Sequence, residues 1–342
     1  MSSAQERLSQ LIGAARRIAD PGDALGQKAR AVLPDATGLS PQGVELALER
    51  CLETSPSAAE LDALCAAVSP APAAHVLLSA NVFVAAHRAV ALALAASEHV
   101  FVRPSRREPQ IAELLARGAP GLFQLVAELE PRPGDHVFAY GRDETLAALR
   151  SSLPQGVVLH GHGDGFSVAV AGAQADPAAI AEALALDIAL FDQRGCLSPR
   201  ALLVVGREAR PFAQALASAL GALERRVPLG QLAPDERARV TTFRESMTFS
   251  AEVLPAGSGF VSLEESAKRL LIAPVGRNCH VASCADPLRL LHEQRARLTS
   301  VGLAPEDSLK ERFAAALPGA RLTEIGRLQT PPFDGPVDRR RS

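Results

Sequence analysis

Aromatic side chains are scarce in this sequence, which has no tryptophan, a single tyrosine and only 4% aromatic residues. Proteins that bind single-stranded nucleic acid without sequence preference stack its bases on exposed rings, so the scarcity argues against that class. Neither sign of charge dominates, because 36 basic residues stand against 38 acidic ones. We therefore expect no field that attracts nucleic acid or an anionic membrane. The one concentrated basic run, residues 339–341, is predicted to be a solvated tail.

Long hydrophobic segments are missing as well. Charged residues recur every few positions near the N-terminus, which lacks the apolar centre of a signal peptide. The longest apolar run, residues 76–94, is interrupted by Asn81, His87 and Arg88, which argues against a membrane span. The 5 cysteines are odd in number and have no framework spacing, so free thiols in a reducing compartment are favoured over disulfides. Together these features predict a cytoplasmic protein.

Several signatures of common enzymes and metal sites are absent. The sequence has no GxSxG elbow, HExxH helix, Walker A loop or EF-hand, and its GHGDG segment lacks the GxGxxG spacing. His160 and His162 have no second pair of ligands nearby in the sequence. The stretch Cys279, His280 and Cys284 lacks an evident fourth ligand for zinc. We therefore predict no metal site.

Short apolar strands alternate with helical segments along most of the chain. A helical region ends near Pro70, and strands are then predicted at 75–80, 98–103, 135–140, 157–160 and 166–171. Helices are predicted at 85–96, 111–118, 121–129, 144–153 and 177–191. This alternation is typical of crossover units that build parallel sheets, so it predicts an α/β fold with a doubly wound nucleotide-binding domain.

A second α/β unit is predicted after the long helix. Its strands are expected at 201–205, 260–263, 270–273 and 280–283, and its helices at 209–223, 236–247 and 286–296. The predicted division is a helical N-terminal region with the nucleotide-binding domain at 1–190, a catalytic domain at 191–305 and a C-terminal return segment at 306–342.

The segment FDQRGCLSPR is the most informative in the chain. Gly195 and Pro199 disfavour a regular helix around Cys196, so the thiol is expected on a loop between two domains. A nucleophilic thiol needs a lowered pKa, which Arg194 or a following helix N-terminus could supply. A buried structural cysteine is the alternative, and the local residues leave both interpretations open.

Two further places carry candidate residues. Asn81 follows a predicted strand, where it is either a turn former or a donor to an oxyanion alongside the Cys196 backbone N–H. Arg103 and Ser105 end another strand, at the edge where nucleotides bind in open α/β sheets. Arg106, together with Arg107, could pair with a ribose 2′-phosphate, and a solvated basic loop is the alternative.

Four segments together resemble the LuxC-type acyl-CoA reductase family of the aldehyde dehydrogenase superfamily. They read HVLLSANVFVAAHRAVALALAASEHVFVRPSRREP, VFAYGRDETLAALRSSLP, DIALFDQRGCLSPRALLV and GRLQTPPFDGPVDRR. The third resembles the family's Asp-Gln-x-x-Cys-x-Ser-Pro nucleophile segment, and the fourth resembles its Gly-Arg-x-Gln-x-Pro-Pro signature. The likeness extends over residues 70–338.

The resemblance implies an aldehyde-dehydrogenase-like fold and a specific chemistry. Cys196 would attack an acyl thioester, either acyl-CoA or acyl-carrier protein, and expel its thiol. NADPH, or alternatively NADH, would supply hydride, and an aldehyde would leave. Asn81 and the Cys196 amide would hold the oxyanion. A homo-oligomer is compatible with this assignment.

The resemblance also assigns cofactor contacts to two stretches: Arg103, Pro104, Ser105 and Arg106 after one strand, and Tyr140, Gly141 and Arg142 after another. The first matches the stretch that contacts the adenosine half, with Arg106 favouring the phosphorylated form. The second matches the turn over which the pyrophosphate lies.

This sequence departs from the family in several ways. It is shorter than typical members, Arg103 replaces a lysine usual in the superfamily, and Phe83 stands where proline is common. The water-activating glutamate of aldehyde dehydrogenases has no recognisable counterpart, as expected for a reductase. Two other functions stay open: an acyl transferase or thioesterase that uses Cys196 without hydride, and a degenerate, non-catalytic member that only binds a partner or nucleotide.

Overall fold

The structure is a computed structural model that describes residues 3–304 and 307–340. Four helices occupy its N-terminal region, where the sequence predicts helical structure. They are α1 (Ala4–Ala19), α2 (Ala24–Thr37), α3 (Pro41–Cys51) and α4 (Ala58–Ala66). Local sequence fixes their ends. Ser3 and Glu6 form a capping box on α1, as Ser57 and Glu60 do on α4. Gly38, with φ of 73°, provides the left-handed residue that ends α2.

A five-stranded parallel sheet follows these helices. Its strands are β1 (Ala74–Leu77), β2 (Val100–Arg103), β3 (Gln124–Leu125), β4 (His136–Tyr140) and β5 (Val158–His162). The helices between them are α5 (Ala85–Ala96), α6 (Gln110–Gly118) and α7 (Asp143–Ser152). The strand order is β3-β2-β1-β4-β5, and every pairing is parallel. The order therefore reverses between β1 and β4, the position where doubly wound sheets open a crevice for a ligand.

The second sheet has seven strands in the order β12-β11-β6-β7-β10-β9-β8. These strands are β6 (Phe166–Ala171), β7 (Pro199–Val205), β8 (Glu252–Ala256), β9 (Gly259–Glu264), β10 (Cys279–Cys284), β11 (Leu298–Leu303) and β12 (Arg321–Glu324). The helices are α8 (Pro177–Ala189), α9 (Arg210–Glu224), α10 (Pro234–Ser250), α11 (Pro287–His292) and α12 (Asp307–Ala316). Only β8, at one edge, pairs antiparallel within the part of the chain that is described.

Both faces of the second sheet are buried. On β7, Leu202 and Val204 face the layer formed by α8 and α9, whereas Ala201 and Leu203 face a second apolar cluster that includes Phe313. Strands covered on both sides are apolar throughout instead of alternating, and this explains the continuous ALLVV run. None of the helices within 3–304 and 307–340 combines the length and the apolarity needed to cross a bilayer.

Two predicted elements are wrong. Residues 121–129 are not a helix: Gly121 has a φ of 78°, and the chain then extends along β2, where the Val126 N–H donates to the Val102 carbonyl at 2.9 Å. Residues 270–273 are a loop and not a strand, although the Ala273 N–H donates to the Arg200 carbonyl at 3.4 Å. In the first case, hydrogen bonds along a sheet edge outweigh a helical composition.

The chain divides into two units on its contacts. One contains the residues up to 164 together with 332–337, and the other contains 165–331 together with 338–340. The predicted boundary lies near residue 190. The observed division comes earlier, before β6, because β6 pairs with β7 and β11 in the second sheet. Residues 332–337 join the first unit through Arg88, which donates to the carbonyls of Pro332 (2.7 Å) and Gly335 (2.9 Å).

Candidate active site

The chain makes a strained turn immediately before Cys196. Helix α8 ends at Ala189, and Phe191, Asp192 and Gln193 then adopt φ values of 56°, 49° and 68°. Residues other than glycine rarely adopt this left-handed conformation, and each costs on the order of 1–3 kcal/mol. Three in succession persist only where the surroundings over-determine them, so the contacts of this turn identify what the fold holds in place.

A buried ion pair holds the middle of the turn. Arg277 lies 2.8 Å from the Asp192 carboxylate, and the two side chains are 2% and 1% exposed. Arg277 also donates to the carbonyls of Val227 and Pro228, and the other Asp192 oxygen accepts the Gly230 N–H at 3.0 Å. The pair therefore fixes both the turn and the segment that follows α9.

Gln193 anchors the end of the turn to the sheet. Its amide nitrogen donates to the carbonyls of Pro199 and Asn278, each at 2.7 Å, and its oxygen accepts the Asn278 N–H at 3.0 Å. The side chain is completely buried, and its hydrogen bonds satisfy backbone groups that would otherwise be unpaired. Gln193 therefore connects the loop by hydrogen bonds to Asn278, just before β10, and to Pro199, at the start of β7.

Cys196 lies on the loop that these contacts define, directly before β7. Its carbonyl accepts a hydrogen bond from Ser167 Oγ at 2.8 Å, and its side chain retains partial exposure. Desolvation by the surrounding protein, together with the nearby Asp338 carboxylate, raises the pKa of the thiol to about 11. Arg340 and the Thr299 hydroxyl act in the opposite direction. The resting sulfur is therefore a protonated thiol near neutral pH.

The cation near the sulfur is not the one that the sequence suggested. The Arg194 guanidinium pairs with Glu236 at 3.1 Å and donates to the Gln231 carbonyl at 2.6 Å. Arg340 acts on the Cys196 thiol instead, and it pairs with Asp338 at 2.6 Å. The prediction of a solvated basic tail is therefore wrong at Arg340, and Arg341 lies outside the described residues.

The C-terminal signature packs against the nucleophile segment. The carboxylate of Asp187, on α8, accepts the N–H groups of Gly326 (2.6 Å) and Leu328 (3.1 Å). Gln329 donates to the Ser198 hydroxyl at 2.8 Å and to the Asp187 carbonyl at 3.0 Å. Burial raises the pKa of Asp187 to about 7, despite the backbone donors that oppose this. The two most specific segments of the sequence therefore form one buried network.

The first unit brings the other predicted residues to one edge of its sheet. Asn81 follows β1, Arg103 ends β2, and Tyr140 ends β4. Because β1 pairs in parallel with both β2 and β4, these residues lie at the carboxyl ends of three adjacent strands. Asn81 is exposed and belongs to the first unit, while Cys196 belongs to the second. Their cooperation at an oxyanion remains a prediction.

The same edge contains the residues that the resemblance assigns to a cofactor. Pro104 and Ser105 follow Arg103 directly, and Arg106 is exposed beside them. Gly141 leads into Arg142, the N-cap of α7. The first turn of α7 contains Asp143 and Glu144, which disfavour phosphate at that helix end. A phosphate group bound at this edge would therefore depend on the arginine side chains and not on the N-terminus of α7.

Two histidines outside this site have side-chain partners within their own sheets. His160 Nε2 lies 3.3 Å from His136 Nδ1, and His280 Nδ1 lies 2.9 Å from the Ser262 hydroxyl. Burial lowers the pKa of His160 and of His280 to about 4. Among the described residues, no three histidine, cysteine or carboxylate side chains form a group that could hold a metal ion.

Sequence reasoning missed Arg277, Asn278 and Thr299, because their partners are far away along the chain. Asp187 and Asp192 stand inside the segment that resembles the family's nucleophile segment, and their position in an apolar run of the sequence was a signal that could have identified them.

Comparison with known proteins places the chain in a family. The model of the acyl-CoA reductase (LuxC) family matches residues 124–337, more than half of the chain. A search of curated protein sequences found no match.

Solved structures agree on the fold. PnpE from Pseudomonas sp. WBC-3 has a TM-score of 0.72 at 15% identity, over 95% of this chain and 77% of its own. An oxidoreductase from Marinobacter aquaeolei has a TM-score of 0.71 at 12% identity, over 97% of this chain and 79% of its own. A lactaldehyde dehydrogenase has a TM-score of 0.67 at 15% identity, over 95% and 79%. The chain has an aldehyde-dehydrogenase-like fold and belongs to the acyl-CoA reductase (LuxC) family.

Proposed function

We propose that this protein reduces a fatty acyl thioester to an aldehyde through a covalent acyl group on Cys196, with NADPH as the reductant. Membership of an acyl-CoA reductase family supports an oxidoreductase that acts on acyl substrates. The observation that carries the finer proposal is the turn before Cys196, where three successive left-handed residues are held by buried side chains. Strain of this kind is characteristic of sites where geometry serves chemistry.

The first half-reaction is acyl transfer to the sulfur. The Cys196 thiol loses its proton, its thiolate attacks the thioester carbonyl, and the carbon–sulfur bond to coenzyme A breaks. The proton leaves with the coenzyme A thiol, so charge and atoms balance. Because the thiol pKa is about 11, only a small fraction is ionised at neutral pH, and groups that favour the thiolate govern this step.

The oxyanion formed in each half-reaction needs hydrogen-bond donors. The Cys196 backbone N–H is one candidate, since it moves with the nucleophile, and the Asn81 side-chain amide is the other. Asn81 is exposed at the carboxyl end of β1 in the first unit, next to the predicted cofactor edge.

When bound, the reduced nicotinamide supplies the hydride that converts the acyl thioester on the sulfur to the aldehyde level. Arg103, Pro104 and Ser105 would contact its adenosine half, and Arg106 would pair with a ribose 2′-phosphate. Tyr140, Gly141 and Arg142 would line the pyrophosphate. Arg106 is exposed and Gly141 carries no side chain, so both charge and space are available at this edge.

The purified protein should oxidise NADPH and release an equal amount of aldehyde when an acyl-CoA of long chain length is added. A Cys196→Ser variant should lose both products, because a serine hydroxyl is far less nucleophilic than a thiolate at this position. Free coenzyme A released without NADPH oxidation would indicate a thioesterase or transferase instead. Equal aldehyde formation by both proteins would reject the proposal.

A further inference from the structure

Thr299 occupies an irregular position on β11. The neighbouring residues Leu298 and Ser300 pair with Phe166 and Ser167, which are consecutive on β6, so Thr299 is the additional residue of a β-bulge. Bulges redirect a side chain relative to the regular strand and are frequent next to active sites. The Ser300 hydroxyl lies 2.8 Å from the Ser167 hydroxyl, which in turn donates to the Cys196 carbonyl. The bulge is therefore coupled to the loop of the nucleophile.

The Thr299 hydroxyl is buried, and it has no satisfactory hydrogen-bond partner among the described residues. A buried hydroxyl without a partner costs about 1–3 kcal/mol, so its retention calls for a function. The group that it influences is Cys196: the hydroxyl lies where it favours the ionised form of the sulfur. It is therefore available to donate to a thiolate once one forms.

The charged side chain of Arg340, in the C-terminal segment, lies near the Thr299 hydroxyl. Arg340 is held by two hydrogen bonds to the Asp338 carboxylate, at 2.8 and 2.6 Å, and by a third to the Ala296 carbonyl at 3.0 Å. Gly165 makes room for both groups. A Cβ atom at Gly165 would lie 2.3 Å from Thr299 Oγ1 and 2.9 Å from Arg340 Nη2.

The charges that face the sulfur are opposed in sign. The Arg340 guanidinium favours the Cys196 thiolate, and the Asp338 carboxylate disfavours it. Arg200, on β7, also interacts electrostatically with Cys196. Since opposite charges act on one atom, their separate removal should shift its ionisation in opposite directions.

We propose that Thr299 is a further catalytic residue, whose hydroxyl donates a hydrogen bond to the Cys196 thiolate, and that Arg340 stabilises the same thiolate under the opposing influence of Asp338. The role of this cradle in acyl transfer rests on the proposed function. Its effect on the sulfur does not, because ionisation can be measured without substrate.

The proposal is tested by measuring the rate at which iodoacetamide alkylates Cys196 across a range of pH. Mass spectrometry quantifies the modified peptide. At pH about 8, Thr299→Val should react about 10-fold more slowly than the wild type, the loss expected for one hydrogen bond to a charged group. Thr299→Ser should recover most of that rate, because it keeps the hydroxyl. Thr242→Val, on the exposed surface of α10, is the matched control and should react like the wild type.

The charged pair gives an independent sign test. Arg340→Gln should slow alkylation by about 3-fold or more, whereas Asp338→Asn should accelerate it. These variants test the charge effects independently, and Thr299→Ala, which also lacks the hydroxyl, takes the place of Thr299→Val if that variant fails to fold. An unchanged rate in folded Thr299→Val, or shifts of the same sign in Arg340→Gln and Asp338→Asn, would overturn the inference. Alkylation shifts without any acyl-CoA reduction by the wild type would instead reject the proposed function alone.

Discussion

Replacing Arg277 by methionine removes one partner of a fully buried ion pair and leaves the Asp192 carboxylate without its countercharge. The two groups lie 2.8 Å apart and are almost completely buried. Breaking such a pair costs about 3–5 kcal/mol, and the lost donors to Val227 and Pro228 add to this. For a unit of this size we expect the melting temperature to fall by about 6–20 °C.

Urea unfolding, followed by circular dichroism, measures this effect, and two variants control for it. Arg327→Met removes an exposed arginine from a pair that is 74% and 69% exposed, so it should change stability by less than about 0.5 kcal/mol. The double variant Asp192→Leu/Arg277→Met should recover much of the lost stability, because no buried charge is left unpaired. An Arg277→Met protein as stable as the wild type would refute the assignment of this pair as the clamp of the turn.

The remaining predictions concern chemistry and binding. Asn81→Ala should lower the rate of aldehyde formation by about 100-fold or more if its amide holds the oxyanion, while Asn81→Asp should not restore it; unchanged turnover would contradict this role. Arg106→Gln should weaken NADPH binding by about 10-fold and leave NADH binding nearly unchanged, which a titration followed by the fluorescence of the reduced nicotinamide or by thermal shift would detect. Burial raises the Cys196 thiol pKa to about 11, so its alkylation rate should increase about tenfold for each unit by which the pH is raised, up to that value. A rate that stops increasing at about pH 7 would contradict the assigned environment.

Much of the architecture could be predicted, because buried parallel strands are continuous apolar runs bounded by glycine and proline. The strand near Val76 and the helix at 85–96 appear where the sequence predicts them. The segment 121–129 failed because its leucine, phenylalanine and alanine residues are compatible with a helix. That segment is extended because part of it pairs as β3 with the edge of β2, a strand formed by an earlier part of the chain.

The site was predictable to a smaller extent. Cys196 and its immediate neighbours form a recognisable pattern, and so does the Gln329 segment. Their partners are remote: Arg277 is 85 residues from Asp192, and Gly326 is 139 residues from Asp187. A single sequence gives no indication of such pairings, because hydrogen bonds between distant residues depend on the complete topology.

Thr299 illustrates the same limit at the level of one residue. Within an apparently regular strand, nothing in the letters LTSVGL indicates an additional residue in the pairing with β6. The bulge arises from the register of two strands that are far apart in sequence.

The most direct test of a covalent acyl group on Cys196 is the intact mass of the protein after mixing with an acyl-CoA in the absence of NADPH. We expect the mass to increase by that of one acyl group, the increase to disappear when NADPH is added, and no increase in Cys196→Ala. An adduct of equal size in Cys196→Ala, or no adduct on a wild-type protein that nevertheless forms aldehyde, would contradict the account.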